Sequence, residues 1–195
     1  DALHLSTPYP SAPNDDGDLA VILYTTGTTG APKGVMLTHD NLVFAGKASV
    51  VVRDMRADDV IYGVLPITHV FGLASIVTAV SCAGAFIRFE PRFSAAKLYE
   101  ALNDGVTLLS AVPQMHALLM QYTREQGHET LAGSKLRVVT SGAAPLDPTW
   151  KRKAEAFYGV ALQNGYGMTE TTAGVCVTTN AFGDPDISTG PVLPG

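Results

Sequence analysis

The sequence predicts an α/β fold, with a largely parallel sheet flanked by helices. Three observations lead there. Short apolar runs alternate with stretches of helical periodicity, the order that βαβ units impose. Hydrophobic residues make up 46% of the chain and charged residues 16%, the reverse of the balance that leaves a polypeptide disordered. The length, 195 residues, suits one large domain, and a chain of that size can bury roughly 70% of its unfolded surface.

Asp1 to Asp18, with Pro8, Pro10, Pro13 and Gly17, reads as a loop or linker. Leu19–Tyr24 is an apolar strand ending in a Gly/Thr-rich loop, Thr25–Gly34, after which Val35–Leu37 is extended again. Thr38 or Asp40 can cap a helix over Leu42–Val52. Val60–Leu65 is a buried strand halted by Pro66. Val70–Ile87 carries no charge and approaches the length of a membrane span. Its Ala, Ser and Gly content instead divides it into a helix (Phe71–Ser81), a turn at Ala83–Gly84 and a strand, Ala85–Phe89.

Ser94 caps Ala95–Asn103, where Leu98, Ala101 and Leu102 share a face, and Gly105 stops that helix. Val106–Val112 is a strand, and Pro113 suits the first turn of a helix over Gln114–Tyr122. Leu136–Thr140 is a strand opening into Ser141–Leu146. Asp147 and Pro148 start a helix that runs through Phe157 and ends at Gly159. Val160–Gln163 is a short strand released into Asn164–Thr172, and the Pro- and Gly-containing tail Ala181–Gly195 is loop or turn. Parallel sheets bind ligands at the carboxyl ends of their strands. The segments after Tyr24, Thr140 and Gln163 are therefore expected to converge on one edge.

Thirteen basic against 18 acidic residues give a net charge of −5, which offers no footprint for nucleic acid or an anionic membrane. The one basic run, Lys151 to Lys153, reads as a solvated helix face. Two cysteines, Cys82 and Cys176, allow one disulfide but better suit a reduced, cytoplasmic setting. The acidic, Pro/Ser-rich start carries no secretory signal.

The chemistry concentrates after the first strand. Four threonines, three glycines and Lys33 lie within the ten residues Thr25–Gly34. Glycines let a backbone approach a ligand closely and turn its N–H groups inward. Hydroxyls add donors, and a lysine adds a mobile charge. A triphosphate needs that combination. No G-x-x-x-x-G-K-[ST] register is present, and Gly34–Leu37 looks extended where a P-loop would begin a helix. Kinase-type and GTPase-type readings lose their main support. A turn-rich surface hairpin is the plain alternative for such a loop.

The wording Y-T-T-G-T-T-G-A-P-K-G-V, from Tyr24 to Val35, resembles the phosphate-loop signature of AMP-forming adenylating enzymes. These comprise acyl-CoA synthetases, peptide-synthetase adenylation domains and luciferases. Further segments resemble the same family in the same order. Leu65–Leu73 is similar to its acyl-pocket segment, Ser141–Leu146 to its adenine loop, Asn164–Glu170 to its aromatic-Gly-x-Thr-Glu motif, and Thr189–Gly195 to the glycine-proline stretch beyond. The resemblance implies the large N-terminal domain of an acyl-CoA synthetase-like fold, binding ATP/AMP and Mg²⁺ and using CoA or a phosphopantetheine thiol.

Residue by residue, it implies that Thr25, Thr26, Gly27, Thr28, Thr29, Gly30 and Lys33 hold the β- and γ-phosphates of ATP. Thr26 stands where the family usually has Ser, a change that keeps the hydroxyl. Ala143, Ala144 and Pro145 would border the adenine, Tyr166 would stack on it between Gly165 and Gly167, and Asn164 would reach its exocyclic amine. Thr169 would donate to the α-phosphate, Glu170 would ligate Mg²⁺, and His69 would stand where acyl pocket and thiol channel meet. Taken singly, Tyr166 and His69 are ordinary packed residues and Glu170 an ordinary solvated acid. Their ordered company gives them roles.

The implied reaction joins a carboxylate to the α-phosphorus of ATP, giving acyl-AMP and pyrophosphate, after which a thiol displaces AMP. No general base is needed, because the nucleophile is already ionised at neutral pH. No acid lies between Tyr62 and Phe89 to pair an α-ammonium, so a fatty or aryl acid is expected over an amino acid. The family's Thr-Gly-Asp motif, hinge and C-terminal lysine do not occur in residues 1–195. The chain therefore reads as an internal piece of the large domain, expected to bind nucleotide weakly and turn over negligibly by itself. A non-catalytic nucleotide-binding or interaction module, and an unrelated phosphotransferase using the Gly/Thr loop, are the competing readings.

Overall fold

In the computed structural model, residues 13, 15–26, 30–131 and 133–194 are described. Leu19–Thr25 (β1) pairs antiparallel with Lys33–Thr38 (β2), and their alternation sets one face against the protein. Leu23 and Leu37 are buried, whereas Ile22, Tyr24 and Met36 face outward. The expected loop is thus shorter at both ends, because Thr25 and Lys33 are the hairpin's last register pair. Most of the expected linker lies outside the described residues. Its end is docked: the carbonyls of Asp16 and Asp18 accept from the Asp40 and His39 amides at 2.9 and 3.2 Å.

His39–Val52 (α1) begins with a reciprocal cap. The Asn41 amide donates to Thr38 Oγ1 at 3.2 Å and the Thr38 amide donates to Asn41 Oδ1 at 3.1 Å. Val60–Gly63 (β3), Phe86–Phe89 (β4), Leu108–Ala111 (β5), Val138–Gly142 (β6), Leu162–Met168 (β7) and Ala173–Val177 (β8) form a six-stranded sheet in the order β4-β3-β5-β6-β7-β8. All neighbours are parallel except β7 and β8. The largely parallel α/β architecture is as the alternation predicts. The first strand is the exception, since β1 belongs to the separate hairpin.

Ala95–Asn103 (α4), Pro113–Glu125 (α5) and Pro148–Tyr158 (α6) cover one face of the sheet. There Leu98, Leu102, Leu109, Leu119 and Leu162 are at most 1% exposed, each contributing about 2 kcal/mol by its burial. Ser94 and Asp147 cap α4 and α6 as expected. The other face is packed by Ile76, Ala79 and Val80 against Ile61 and Leu108. Those side chains come from one run made of Val70–Gly72 (α2), a π-helical stretch Leu73–Thr78 and Ala79–Ala83 (α3). Among the described residues no helix is long and apolar enough to cross a membrane.

The π-helical stretch was not legible from periodicity. Its loosened carbonyls are answered by Arg53 Nη1, which donates to Ser75 O at 2.6 Å, and by Thr78 Oγ1, which donates to Leu73 O at 3.1 Å. Element boundaries also move, two of them for visible reasons. Val106 is no strand residue, because its amide closes α4 on Ala101 O at 3.1 Å. Strand β7 continues five residues past Gln163 because β8, absent from the expected elements, returns beside it.

The expected solvated face at Lys151–Lys153 is corrected at its first residue. Lys151 is 1% exposed, paired with Glu155 at 2.8 Å, and donates to Asp184 O at 2.5 Å. The Asp184 carbonyl, 33 positions away, leaves no local signal. At the amino ends of β3, β5 and β6, buried Asp59 accepts from Arg137 Nε at 2.9 Å and from Thr107 Oγ1 at 2.7 Å. Although burial opposes its charge, the Arg137 and Thr107 bonds hold its pKa below the usual range.

His116 of α5 is fully buried, with Nδ1 2.7 Å from the Tyr158 hydroxyl, and burial lowers its pKa to about 4. The unfolded chain binds a proton that the native ring refuses. Stability is therefore complete above the ordinary histidine value of about 6.5, and drains as pH falls towards 4 by up to roughly 1.4 kcal/mol per unit. Denaturant melts of His116→Gln, which can keep the Tyr158 contact, should show this acid limb flattened relative to wild type.

Candidate functional site

Strands β6 and β7 end side by side, with Ser141 opposite Asn164 and Gly142 opposite Gly165. The exposed loop Ala143–Pro145 therefore leaves the sheet directly beside Tyr166, which is 51% exposed. The ring of Phe71 lies against Gly142, 3.4 Å from where a Cβ would stand, so the Leu65–Leu73 segment meets the same edge. Gly72 follows because nothing larger fits: a Cβ there would come within 2.2 Å of the Pro66 carbonyl oxygen. His69, exposed, caps this turn by accepting the Phe71 amide on Nδ1 at 3.1 Å.

Beyond Tyr166 the strand shifts register and turns back through a 3₁₀ turn, Thr169–Thr171. The turn is tight because Gly167 has no side chain. A Cβ would fall 1.7 Å from the Ala173 carbonyl oxygen. Thr171 Oγ1 staples it, donating to the carbonyls of Met168 and Ala173 at 3.0 and 3.2 Å. Thr169 is left half-buried and Glu170 exposed at the tip. Among the described residues neither Glu170 nor Lys33 has an ion-pair partner.

The hairpin reaches this edge from the side. Leu23 and Leu37 pack with Val70, Ala74 and Ala173, so Ala173 contacts the hairpin as well as closing the β7–β8 turn. Thr25, Thr26, Gly30 and Lys33 stand at the hairpin's loop end, half-buried or exposed. Gly27, Thr28 and Thr29 lie outside the described residues. The hairpin is thus seated beside this edge by apolar contacts, in place of the shared sheet expected.

Two signals of function escaped the sequence reading. Among the described residues four other than glycine have left-handed φ angles, and three of them, Ala143 (66°), Thr172 (53°) and Ala173 (82°), flank this edge. Such strain concentrates at ligand sites. Ser141 Oγ and Asn164 Oδ1, on adjacent strands, are buried without a partner among the described residues. Asn164, assigned to a released loop, is instead a strand residue 3% exposed. A hollow of about 220 Å³ beside Arg53, Asp54, Arg137 and Val138 lies towards the amino end of β6, and none of Ala143, Tyr166, Thr169 and Glu170 lines it.

Gly167→Ala should cost about 3 kcal/mol, read as a lower melting temperature with faster amide exchange at Met168 and Ala173.

Comparison with known proteins agrees with this geometry. Residues 2–195 match the AMP-binding enzyme family. Over 159 residues the chain is 36% identical to 4-coumarate–CoA ligase 1 of Arabidopsis thaliana, covering 78% of this chain and 28% of that protein. Over 170 residues it is 34% identical to sulfoacetate–CoA ligase of Cupriavidus necator, covering 87% of this chain and 31% of that protein. The crystal structure of ATP-bound MatB from Rhodopseudomonas palustris superposes with a TM-score of 0.82 at 35% identity, covering 96% of this chain and 36% of that one. The chain spans about a third of the length of these relatives. It belongs to the family of AMP-binding enzymes.

Proposed function

We propose that this chain supplies the ATP-binding and acyl-binding edge of an AMP-forming acid–thiol ligase. The supporting observation is the meeting of Phe71, Gly142, Tyr166 and the Ala173-seated hairpin at one end of the sheet. In this reading the hydroxyls and amides of Thr25–Gly30 and the Lys33 ammonium hold the β- and γ-phosphates. Ala143–Pro145 and Tyr166 sandwich the adenine, and Asn164 faces its amine. Thr169 donates to an α-phosphate oxygen, where charge grows as the carboxylate attacks. The work is positioning and preorganised donors.

Glu170, exposed and without a cationic partner among the described residues, suits Mg²⁺, a hard cation usually held by one or two carboxylates together with phosphate oxygens and water. No group of three ligating side chains occurs among the described residues, so phosphate would have to supply the remaining contacts. Glu170 would hold such an ion where it could neutralise charge on the departing pyrophosphate. The thiol that then displaces AMP is that of CoA, the acceptor in the names of the relatives, with a phosphopantetheine carrier as the other source. Phe71 against Gly142 and the uncharged stretch around His69 favour a fatty or aryl acid. Two free thiols, Cys82 and Cys176, fit a reducing cytoplasmic compartment.

The whole protein, given MgATP and a panel of fatty and aryl acids, should release pyrophosphate and AMP. Glu170→Ala and Lys33→Ala should each lower kcat by roughly 100-fold, and Lys153→Ala, exposed on α6, should leave it unchanged. Residues 1–195 alone should turn over negligibly. ADP formation indifferent to Glu170 would indicate a phosphotransferase, and nucleotide binding by the whole protein without AMP a non-catalytic module.

A further inference from the structure

Lys151 and Glu155, one turn apart on α6 and 1% and 2% exposed, take no part in the reaction above. Besides their own 2.8 Å pair, they bind backbone on two sides. Glu155 Oε1 accepts from the Leu162 amide at 2.9 Å, at the start of β7, and Oε2 accepts from the Gly183 amide at 3.3 Å. Lys151 Nζ donates to Asp184 O at 2.5 Å. The pair thus ties β7 to the strap that follows β8, residues 178–190. Within the strap, Asn180 Nδ2 donates to Asp186 Oδ2 at 3.2 Å, and Asp186 Oδ1 accepts from the Ser188 amide at 2.8 Å.

This strap delivers two carbonyls to Asn164. Its Nδ2 donates to Ser188 O at 3.0 Å and Ile187 O at 3.4 Å. Carbonyls only accept, so the amide must keep its nitrogen towards the strap and turn Oδ1 the other way. That oxygen is buried and has no partner among the described residues. It is an acceptor fixed in direction, and only a donor can satisfy it.

The geometry points to the Lys151–Glu155 pair and its strap as a positioning device that makes the adjoining site select purines bearing an exocyclic amine. This rests on the nucleotide reading above. A 6-amino purine offers an N–H to Asn164 Oδ1, whereas a 6-oxo purine sets oxygen against oxygen. Once the strap loosens, the amide can rotate by half a turn and present its NH₂, and the preference fades.

The test compares dissociation constants of ATP and inosine triphosphate for the whole protein by titration calorimetry. Asp186→Ala cuts the strap at its surface, and the double substitution Lys151→Met/Glu155→Leu replaces the ion pair with apolar side chains of similar volume. Wild type should prefer ATP. Both variants should narrow the ratio by about fivefold, the scale of one neutral hydrogen bond, and add nothing further in an Asn164→Ala background. A folded strap variant with the wild-type ratio, or one that weakens both nucleotides equally, overturns the positioning role while leaving the nucleotide reading intact. A wild type that binds neither overturns both. Where the double variant does not fold, Asp186→Ala decides alone.

Discussion

The backbone of β8 lies so close to Gly167 that no side chain can stand between them. Much of the candidate site depends on this contact. It lets β7 turn back on itself within the few residues from Met168 to Ala173, which leaves Thr169 and Glu170 at the tip. It also fixes Ala173, which packs with Leu23, Leu37, Val70 and Ala74 and so holds the Thr-rich hairpin beside the sheet. Gly72 does similar service on the other flank, where the Pro66 carbonyl presses against it and Phe71 is swung over Gly142. Close backbone contacts at two glycines bring together segments more than 100 residues apart in sequence.

Such an edge is costly to maintain, and the expense is visible. Ala143, Thr172 and Ala173 hold φ angles that side chains other than glycine avoid. Ser141 Oγ and Asn164 Oδ1 are removed from water with no partner among the described residues. The remainder of the domain compensates through well-filled leucine layers, the Asp59–Arg137–Thr107 lock and the buried Lys151–Glu155 pair. Those three residues and two atoms lie at the end of the sheet opposite the Asp59 lock, a division along the strands, while the fourth left-handed residue, Asp54, adjoins the lock and accepts from Arg137. A site that binds charge by positioning needs that division, because donors held in place spend little free energy on reorganisation.

Much of this was readable in the sequence wherever a signal was local. Thr38, Ser94 and Asp147 announced their helices because a cap involves only the next three residues. The parallel sheet followed from alternation. The motif residues were legible as ordered words, although their meeting was not, since β1 joins the site through an apolar seat and not through the main sheet. Strand β8 was missed because Ala-Gly-Val-Cys-Val has little strand signature of its own and exists by virtue of Gly167. Lys151 looked solvent-facing because its carbonyl partner at Asp184 is 33 positions away. The left-handed Thr172 and Ala173 carry no compositional mark either.

The account stands or falls on whether these distant segments serve one ligand. Amide hydrogen exchange of the whole protein with and without MgATP asks this directly. Slowed exchange should appear together in peptides covering the Thr25–Val35 hairpin, the Ser141–Leu146 loop and the Tyr166–Thr171 turn. Protection confined to one of them, or centred on the hollow beside Arg53 and Arg137, would contradict it.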